Sequence, residues 1–392
     1  MGGPAVRREN EPKVSLRQVS GRWQSAAPDE IPLHVADMDF MTSPEVTAAL
    51  GARVRRPLPY PEQDGDSAAV ACLVDRYRLR YGTAVDAEDI WLVAGIVSAS
   101  TAAMAELFAP HDEVLYFAPS YHVVPGTIAA AGCRPVPVPL DPERGLDPAA
   151  LRAAVGPATR GIYLCNPHNP TGHVFGRAEL AELLTVAEDH GLLCVSNEIY
   201  ADLVFDGSFT PLVAEARGRP VMTLNGPTKA FNLSGLGGGY VHINDSGRMA
   251  RVRLAARYRV APARTLQRTA MAAVYSADDD WWRDLLAYLR GNRDLLVREL
   301  VGALPGLACH VPRAGLFLWV RGGGLGAGMS LAALLRERAH VRVNCGTEFG
   351  GAPDCFRVTF GSDRAVVREA IRRMRPALAA AGHRVLPPRR SL

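Results

Sequence analysis

The sequence predicts an α/β protein: a three-layer α/β/α large domain around a mostly parallel sheet, with a smaller α+β domain. Three observations carry this reading. From about residue 90, short apolar runs alternate with helix-like segments, the pattern of parallel strands covered on both faces. Loops rich in Gly, Pro and Asn stand directly after several of those runs, where ligands bind in such sheets. After about residue 278 the rhythm changes to one long amphipathic helix, then strands flanked by helices.

Taken in order, residues 1–30 are polar and read as irregular. Ile90–Val93 reads as a strand leading into an alanine-rich helix over Ser98–Phe108. Glu113–Phe117 and Arg134–Val138 read as strands, Ala149–Ala154 as a helix, and Gly161–Cys165 as a buried strand. Arg177–His190 carries apolar residues at helical spacing. Leu192–Ser196, Val221–Leu224 and Gly239–Ile243 complete the strands of the large domain, expected over residues 46–280. Trp281–Val301 reads as a connecting helix. Strands at Leu316–Val320, Val341–Asn344 and Cys355–Phe360 then flank helices Leu331–His340 and Ala365–Ala380. Residues 1–45 and 281–392 are assigned to the small domain, with the tail Val385–Leu392 expected to be disordered.

The bulk numbers narrow the class. The chain has 392 residues, 48% apolar and 21% charged, as for a globular protein with a sizeable core. It contains no apolar stretch of membrane-spanning length and no apolar segment near Met1 that would read as a secretory signal. Its seven cysteines are scattered, odd in number and without a C-x-x-C pair, which argues for a reduced, cytoplasmic setting and against structural zinc. The net charge of +4 is mild, and the arginine clusters lack the interleaved aromatics of a nucleic-acid platform.

One residue type stands out. Of 44 Lys and Arg residues only Lys13 and Lys229 are lysine. Arginine cannot form a Schiff base, whereas a buried lysine can lose its proton and attack a carbonyl. Lys229 lies in Asn225-Gly-Pro-Thr-Lys-Ala-Phe-Asn-Leu-Ser-Gly-Leu-Gly-Gly-Gly239, a run of small residues that lets backbone and ligand approach closely. A codon bias toward arginine would also leave such a survivor. Three further loops follow strands. Ala94-Gly-Ile-Val-Ser98 opens a helix and offers free N–H groups to a phosphate. Asn166-Pro-His-Asn-Pro-Thr-Gly172 is stiffened by its prolines, and Asn169 can donate to an oxyanion. In Asn197-Glu-Ile-Tyr200, Asn197 ends a strand and Tyr200 offers a phenol, although a lone tyrosine is more often a satisfied core residue.

Together these loops resemble the fold type I pyridoxal phosphate superfamily, the aspartate aminotransferase-like enzymes, from about residue 30 to residue 380. Within it, Ile31-Pro-Leu-His-Val-Ala-Asp-Met-Asp-Phe40, with Trp23 upstream, and Lys229-Ala-Phe-Asn-Leu-Ser-Gly-Leu236 are most similar to the MalY/PatB-type cystathionine β-lyases, which cleave C–S bonds. The resemblance implies pyridoxal 5′-phosphate bound through Lys229, which would also shuttle the Cα proton. It implies that Tyr121 stacks on the cofactor ring and that Asn169 and Tyr200 bond its ring oxygen. Ile96 and Val97 would give backbone N–H groups to the phosphate, and Tyr60 would reach the phosphate of a partner subunit, hence a homodimer with shared sites. Arg357 would clamp the substrate carboxylate, with Asn169 and Asp37 also at the substrate.

Two departures from the superfamily pattern bear on the reaction. Gly237 stands where many aminotransferases have a phosphate-binding arginine, which the β-lyase branch also often lacks. Asn197 stands where the family has an aspartate that keeps the pyridine nitrogen protonated and the ring a strong electron sink. A weaker sink handicaps amino transfer more than elimination of a good leaving group. The leading expectation is therefore a C–S β-lyase acting on a cysteine S-conjugate in a specialised pathway such as antibiotic biosynthesis. Decarboxylation-coupled oxidative deamination of the same substrate type, amino transfer, and a non-catalytic cofactor-binding regulator stand as alternatives.

Overall fold

A computed structural model describes residues 16–276, 280–323 and 329–382, so Lys13 and the tail Val385–Leu392 lie outside the described residues. The chain divides into two compact units. One takes in residues 42–168 and 173–279; the other takes in residues up to Met41, Asn169–Gly172 and the chain from Asp280 on.

The first unit is built on seven strands: β1 (Ile90–Val93), β2 (Glu113–Ala118), β3 (Arg134–Pro139), β4 (Thr159–Cys165), β5 (Leu193–Asn197), β6 (Val221–Asn225) and β7 (Gly239–Ile243). Their order is β1-β7-β6-β5-β4-β2-β3, and only β7 runs antiparallel to its neighbours. The central strands read as continuous apolar runs because both faces are buried. On β4, Tyr163 joins a core with Val195, Met104 and Val252 on one face, while Ile162 and Leu164 join Leu180, Leu183 and Leu184 on the other. Helices Ile96–Leu107 and Ser246–Ala256 cover the first face and Arg177–Asp189 covers the second. A third core packs helix Ala68–Tyr81 against Ile90, Leu92, Tyr240 and Met271 of helix Thr265–Ser276.

The strand positions follow the sequence reading closely, but the helices of residues 44–81 and 246–276 do not figure in it. Helix Pro44–Val54 starts behind Ser43, whose hydroxyl accepts from the Val46 N–H, with proline at the first position. Ala68–Tyr81 is capped by Ser67 and stopped by Gly82 in the left-handed region, φ 63°.

The second unit carries a four-stranded antiparallel sheet in the order Asn344–Cys345, Cys355–Thr359, Phe317–Gly322, Leu307–Cys309. Helices Asp280–Leu296, Leu331–Ala339 and Arg364–Ala380 accompany it. The segment expected to form one strand over Val341–Asn344 is two. Val341–Arg342 pairs in parallel with Ile31–Pro32, and Asn344–Cys345 pairs antiparallel with Phe356 and Arg357. The two halves pair in different sheets, with Val343 between them. The polar lead-in is also more regular than expected, with single helical turns at Leu16–Val19 and Gly21–Gln24. Among the described residues no helix is long and apolar enough to cross a membrane, and no cluster of His, Cys, Asp and Glu could hold a metal.

Candidate active site

The carboxyl ends of β1 to β6, and the loops that follow them, lie at the same edge of the sheet. Apart from Tyr60, which precedes β1, the sequence-predicted residues of this unit fall on four of them: Ile96 and Val97 after β1, Tyr121 after β2, Asn197 and Tyr200 at and after β5, and Lys229 after β6. In open α/β sheets this edge is the ligand-binding one.

Helix Ile96–Leu107 begins at Ile96, earlier than the sequence reading placed it. Its first backbone bond runs from the Ala99 N–H to the Gly95 carbonyl, 3.3 Å. Gly95 provides no side-chain cap, so the N–H groups of Ile96, Val97 and Ser98 precede the helical ladder. That arrangement fits a phosphate. The lysine loop sits against this turn. The Gly238 N–H donates to the Ala94 carbonyl at 2.9 Å, and the Gln267 amide donates to the Leu236 carbonyl at 3.0 Å. Gly237 has φ 74°, which disfavours any side chain there. At Gly239 a Cβ would fall 2.5 Å from the Ile96 side chain and 2.7 Å from the Asn225 carbonyl oxygen. The small residues thus press the lysine loop onto the uncapped helix start.

Lys229 is half-buried, and its Nζ donates to the Ser234 hydroxyl at 3.3 Å, five residues on. Ser234 in turn donates to the Thr228 carbonyl at 3.3 Å. Tyr200 is 5% exposed and Tyr121 is half-buried, its ring edge-on to His122 with centroids 4.5 Å apart. Tyr60 is 91% exposed and Val97 49%.

At Asn197 the amide orientation is fixed by its neighbours. Oδ1 accepts from the Ile199 N–H at 3.2 Å, and Nδ2 donates to the Tyr163 hydroxyl at 3.3 Å. Tyr163 lies directly across the ladder from Val195, on the same sheet face as Asn197. Burial pushes its phenol up to about 12, so it stays a neutral hydroxyl. Tyr163 escaped the sequence reading because it sits inside an apolar run, and its partner Asn197 is 34 residues further on. Next to Asn197, the Glu198 carboxyl is fully buried and pushed up to about 8 by desolvation. Its Oε1 accepts from the Ser196 hydroxyl and the Leu212 N–H, both at 2.9 Å.

The second unit holds Arg357, Asn169 and Asp37. Arg357 is 3% exposed. Its Nη1 donates to Asn169 Oδ1 at 2.9 Å, and its Nη2 to the His34 carbonyl at 2.8 Å and to Asn344 Oδ1 at 2.7 Å. The guanidinium carbon lies 3.9 Å from the ring centre of Phe317 and 4.7 Å from that of Phe349. A buried guanidinium between aromatic faces and neutral oxygens suits a carboxylate ligand. His34, beside it, is lowered to about 4 by burial and then by Arg342, Arg22 and Arg357. Asp37 is half-buried, and it is Asp39 of the same segment that pairs with Arg22 and accepts from the Trp23 indole at 2.8 Å. That pairing explains why Trp23 and the Asp-rich segment occur together. Asn344 and Phe349, partners of Arg357, were not found from sequence, since they lie on a two-residue strand and in the turn after it, without a recognisable motif.

A seven-stranded α/β sheet with a lysine loop pressed on an uncapped helix start defines the class of pyridoxal phosphate-dependent enzymes of the aspartate aminotransferase-like fold. Comparison with known proteins agrees: the chain belongs to the aminotransferase class I and II family, which it matches over residues 28–374. It is 32% identical to an arginine–pyruvate transaminase, AruH, of Pseudomonas aeruginosa over 357 residues, 89% of each chain. It is 27% identical to the cystathionine beta-lyase PatB of Bacillus subtilis, covering 90% of this chain and 93% of the relative. The crystal structure of a putative pyridoxal phosphate-dependent beta-cystathionase from Corynebacterium diphtheriae superposes with a TM-score of 0.86 at 26% identity, over 92% of this chain and 96% of that one.

Proposed function

We propose that this protein is a C–S β-lyase acting on a cysteine S-conjugate. The observation that carries the proposal is the fixed amide of Asn197. With Oδ1 committed to the Ile199 N–H, the side chain offers NH₂ and no negative charge. When bound, pyridoxal phosphate supplies an electron sink for the charge left at Cα of an amino acid. A neutral donor at its ring nitrogen stabilises the cationic ring less than a carboxylate would. That weighs more against amino transfer than against expulsion of a thiolate. The relationship to cystathionine beta-lyases supports the same reading.

In this reading the Lys229 amine, hydrogen-bonded to Ser234, would hold the cofactor and take the Cα proton. Arg357 and Asn169 bind the α-carboxylate, with Asp37 in the adjoining segment. Tyr121 would pack on the ring, Tyr200 would bond its phenolic oxygen, and the N–H groups of Ile96 and Val97 would hold the phosphate. The sulfur departs as a thiol, and the remaining three-carbon fragment takes up water to give pyruvate and ammonia. The exposed phenol of Tyr60 supports a homodimer in which it serves the phosphate of the second copy. The experiment is product analysis with S-substituted cysteines under air and under nitrogen. Equal thiol and pyruvate in both atmospheres is the expected result. Oxygen uptake with carbon dioxide release, or no thiol from any conjugate, would overturn it. A second reading, amino transfer, is favoured by the similarity to an arginine–pyruvate transaminase. Its mark is a keto acid that retains the sulfur.

A further inference from the structure

The turn over Asn344–Phe349 does more than close a strand pair. Asn344 and Arg357 are direct cross-strand partners, and Asn344 Oδ1 accepts from Arg357 Nη2 at 2.7 Å. The other end of the same amide, Nδ2, donates to Glu348 Oε2 at 2.9 Å. Glu348 Oε1 accepts from the Cys345 N–H at 2.7 Å, which closes the turn on itself. One residue further, the buried ring of Phe349 lies against the guanidinium. A segment of six residues therefore supplies Arg357 with an oxygen acceptor, an aromatic face and a carboxylate one amide away.

The direction of that amide matters. An asparagine can present either oxygen or NH₂, and only the oxygen can accept from a guanidinium. The Glu348 carboxylate accepts and cannot donate, so it draws Nδ2 to itself and turns Oδ1 toward Arg357. Nη2 has two hydrogens, and both are committed, to Asn344 Oδ1 and to the His34 carbonyl. The guanidinium plane is thereby prevented from turning, and both of these acceptors are neutral oxygens.

We propose that Glu348 and Asn344 are positioning residues that orient Arg357 for the carboxylate of the amino-acid substrate. The proposal rests on the reading of Arg357 as the carboxylate clamp. Glu348 acts through Asn344, and the neutral amide passes on orientation without passing on negative charge.

The test uses the holoenzyme with Asn344→Asp, Asn344→Ala, Glu348→Gln and Arg357→Gln. Steady-state kinetics are measured, together with the Kd of 3-(methylthio)propionate, a carboxylate without an amine, from saturation-transfer NMR. Asn344→Asp places a charge on Arg357 that competes with the substrate carboxylate. It is expected to raise KM and this Kd about tenfold with kcat within about threefold, more than Asn344→Ala, which is expected to cost about threefold. Glu348→Gln offers one acceptor where two donors are waiting, and it is expected to fall between them. A structural role alone predicts another order, in which Asn344→Ala loses most thermal stability while KM and Kd stay at wild-type values in all three. That outcome, or equal KM values for Asn344→Asp and Asn344→Ala, overturns the proposal. Arg357→Gln separates the two layers: if it leaves KM and Kd unchanged, the clamp reading itself has failed, whatever the turn variants do.

Discussion

Asn197 accepts from the backbone N–H of Ile199 at 3.2 Å through its side-chain oxygen, and its NH₂ group donates to the Tyr163 hydroxyl at 3.3 Å. Rotating the amide would cost that bond and set NH₂ against N–H. The neutral donor is therefore a fixed property of the strand end.

Replacing Asn197 by aspartate restores a negative charge at this point. Amino-transfer product should rise relative to thiol release by about tenfold, the equivalent of a one-unit change in ring pKa. Chromatographic quantitation of keto acid and pyruvate from one cysteine conjugate measures this, and an unchanged ratio would remove Asn197 from the account of reaction choice.

Tyr163→Phe removes the acceptor of Asn197 Nδ2 while keeping the ring in the core. Loss of one buried hydrogen bond costs about 1 kcal/mol of stability, visible as a lower urea midpoint. The product ratio should stay as in the wild type, because the hydroxyl carries no charge to the site.

Arg357→Gln should raise KM by about two orders of magnitude with a much smaller change in kcat, as expected when a charge-assisted pair common to ground and transition states is lost. Steady-state kinetics check the split, and a loss confined to kcat would assign Arg357 a different task.

Glu198 gives a pH signature. Its carboxyl is fully buried and raised to about 8 by desolvation, against an unfolded value of about 4.5. The folded state thus keeps a proton that the unfolded chain releases, so stability falls as pH rises from about 4.5 to about 8 and is level above that. Glu198→Gln keeps the oxygen that accepts from Ser196 and Leu212 and removes the titration. The mutant should gain on the wild type by a few kcal/mol across that window, on the order expected for a shift of this size. Urea unfolding of both proteins at pH 5 and pH 8 measures it; parallel pH profiles would show that Glu198 does not titrate in this range.

Gly239→Ala tests the seating of the lysine loop. The added methyl meets the Ile96 side chain and the Asn225 carbonyl oxygen. Overpacking of this kind costs about 1–3 kcal/mol. The expected result is a lower melting temperature together with weaker retention of pyridoxal phosphate on dialysis, since Ile96 is also the first residue of the uncapped helix.

Much of this was readable in the sequence because the signals are local. Ile90–Val93 and Gly239–Ile243 are strands as predicted, since unbroken apolar runs bounded by turn residues leave little choice. Lys229 was visible by composition and Asn197 by its place after a strand. What escaped depends on contacts across the chain. Tyr163 looks like any core residue until β4 and β5 are paired. Asn344 acquires meaning only when its strand is laid beside Arg357. The helices of residues 44–81 went unread because Arg, Tyr and Ala interrupt their apolar stripes, and their caps at Ser43 and Ser67 became clear only in three dimensions.

The scarcity of lysine has a practical consequence. Lys229 is the only lysine among the described residues, and Lys13 is the only other in the chain. A lysine-specific protease acting on the denatured protein therefore has two cutting points. If pyridoxal phosphate is carried on Lys229, as proposed, borohydride reduction would close one of them. A simple gel would then report the fraction of molecules carrying cofactor as one band growing at the expense of two, without any measurement of turnover or colour.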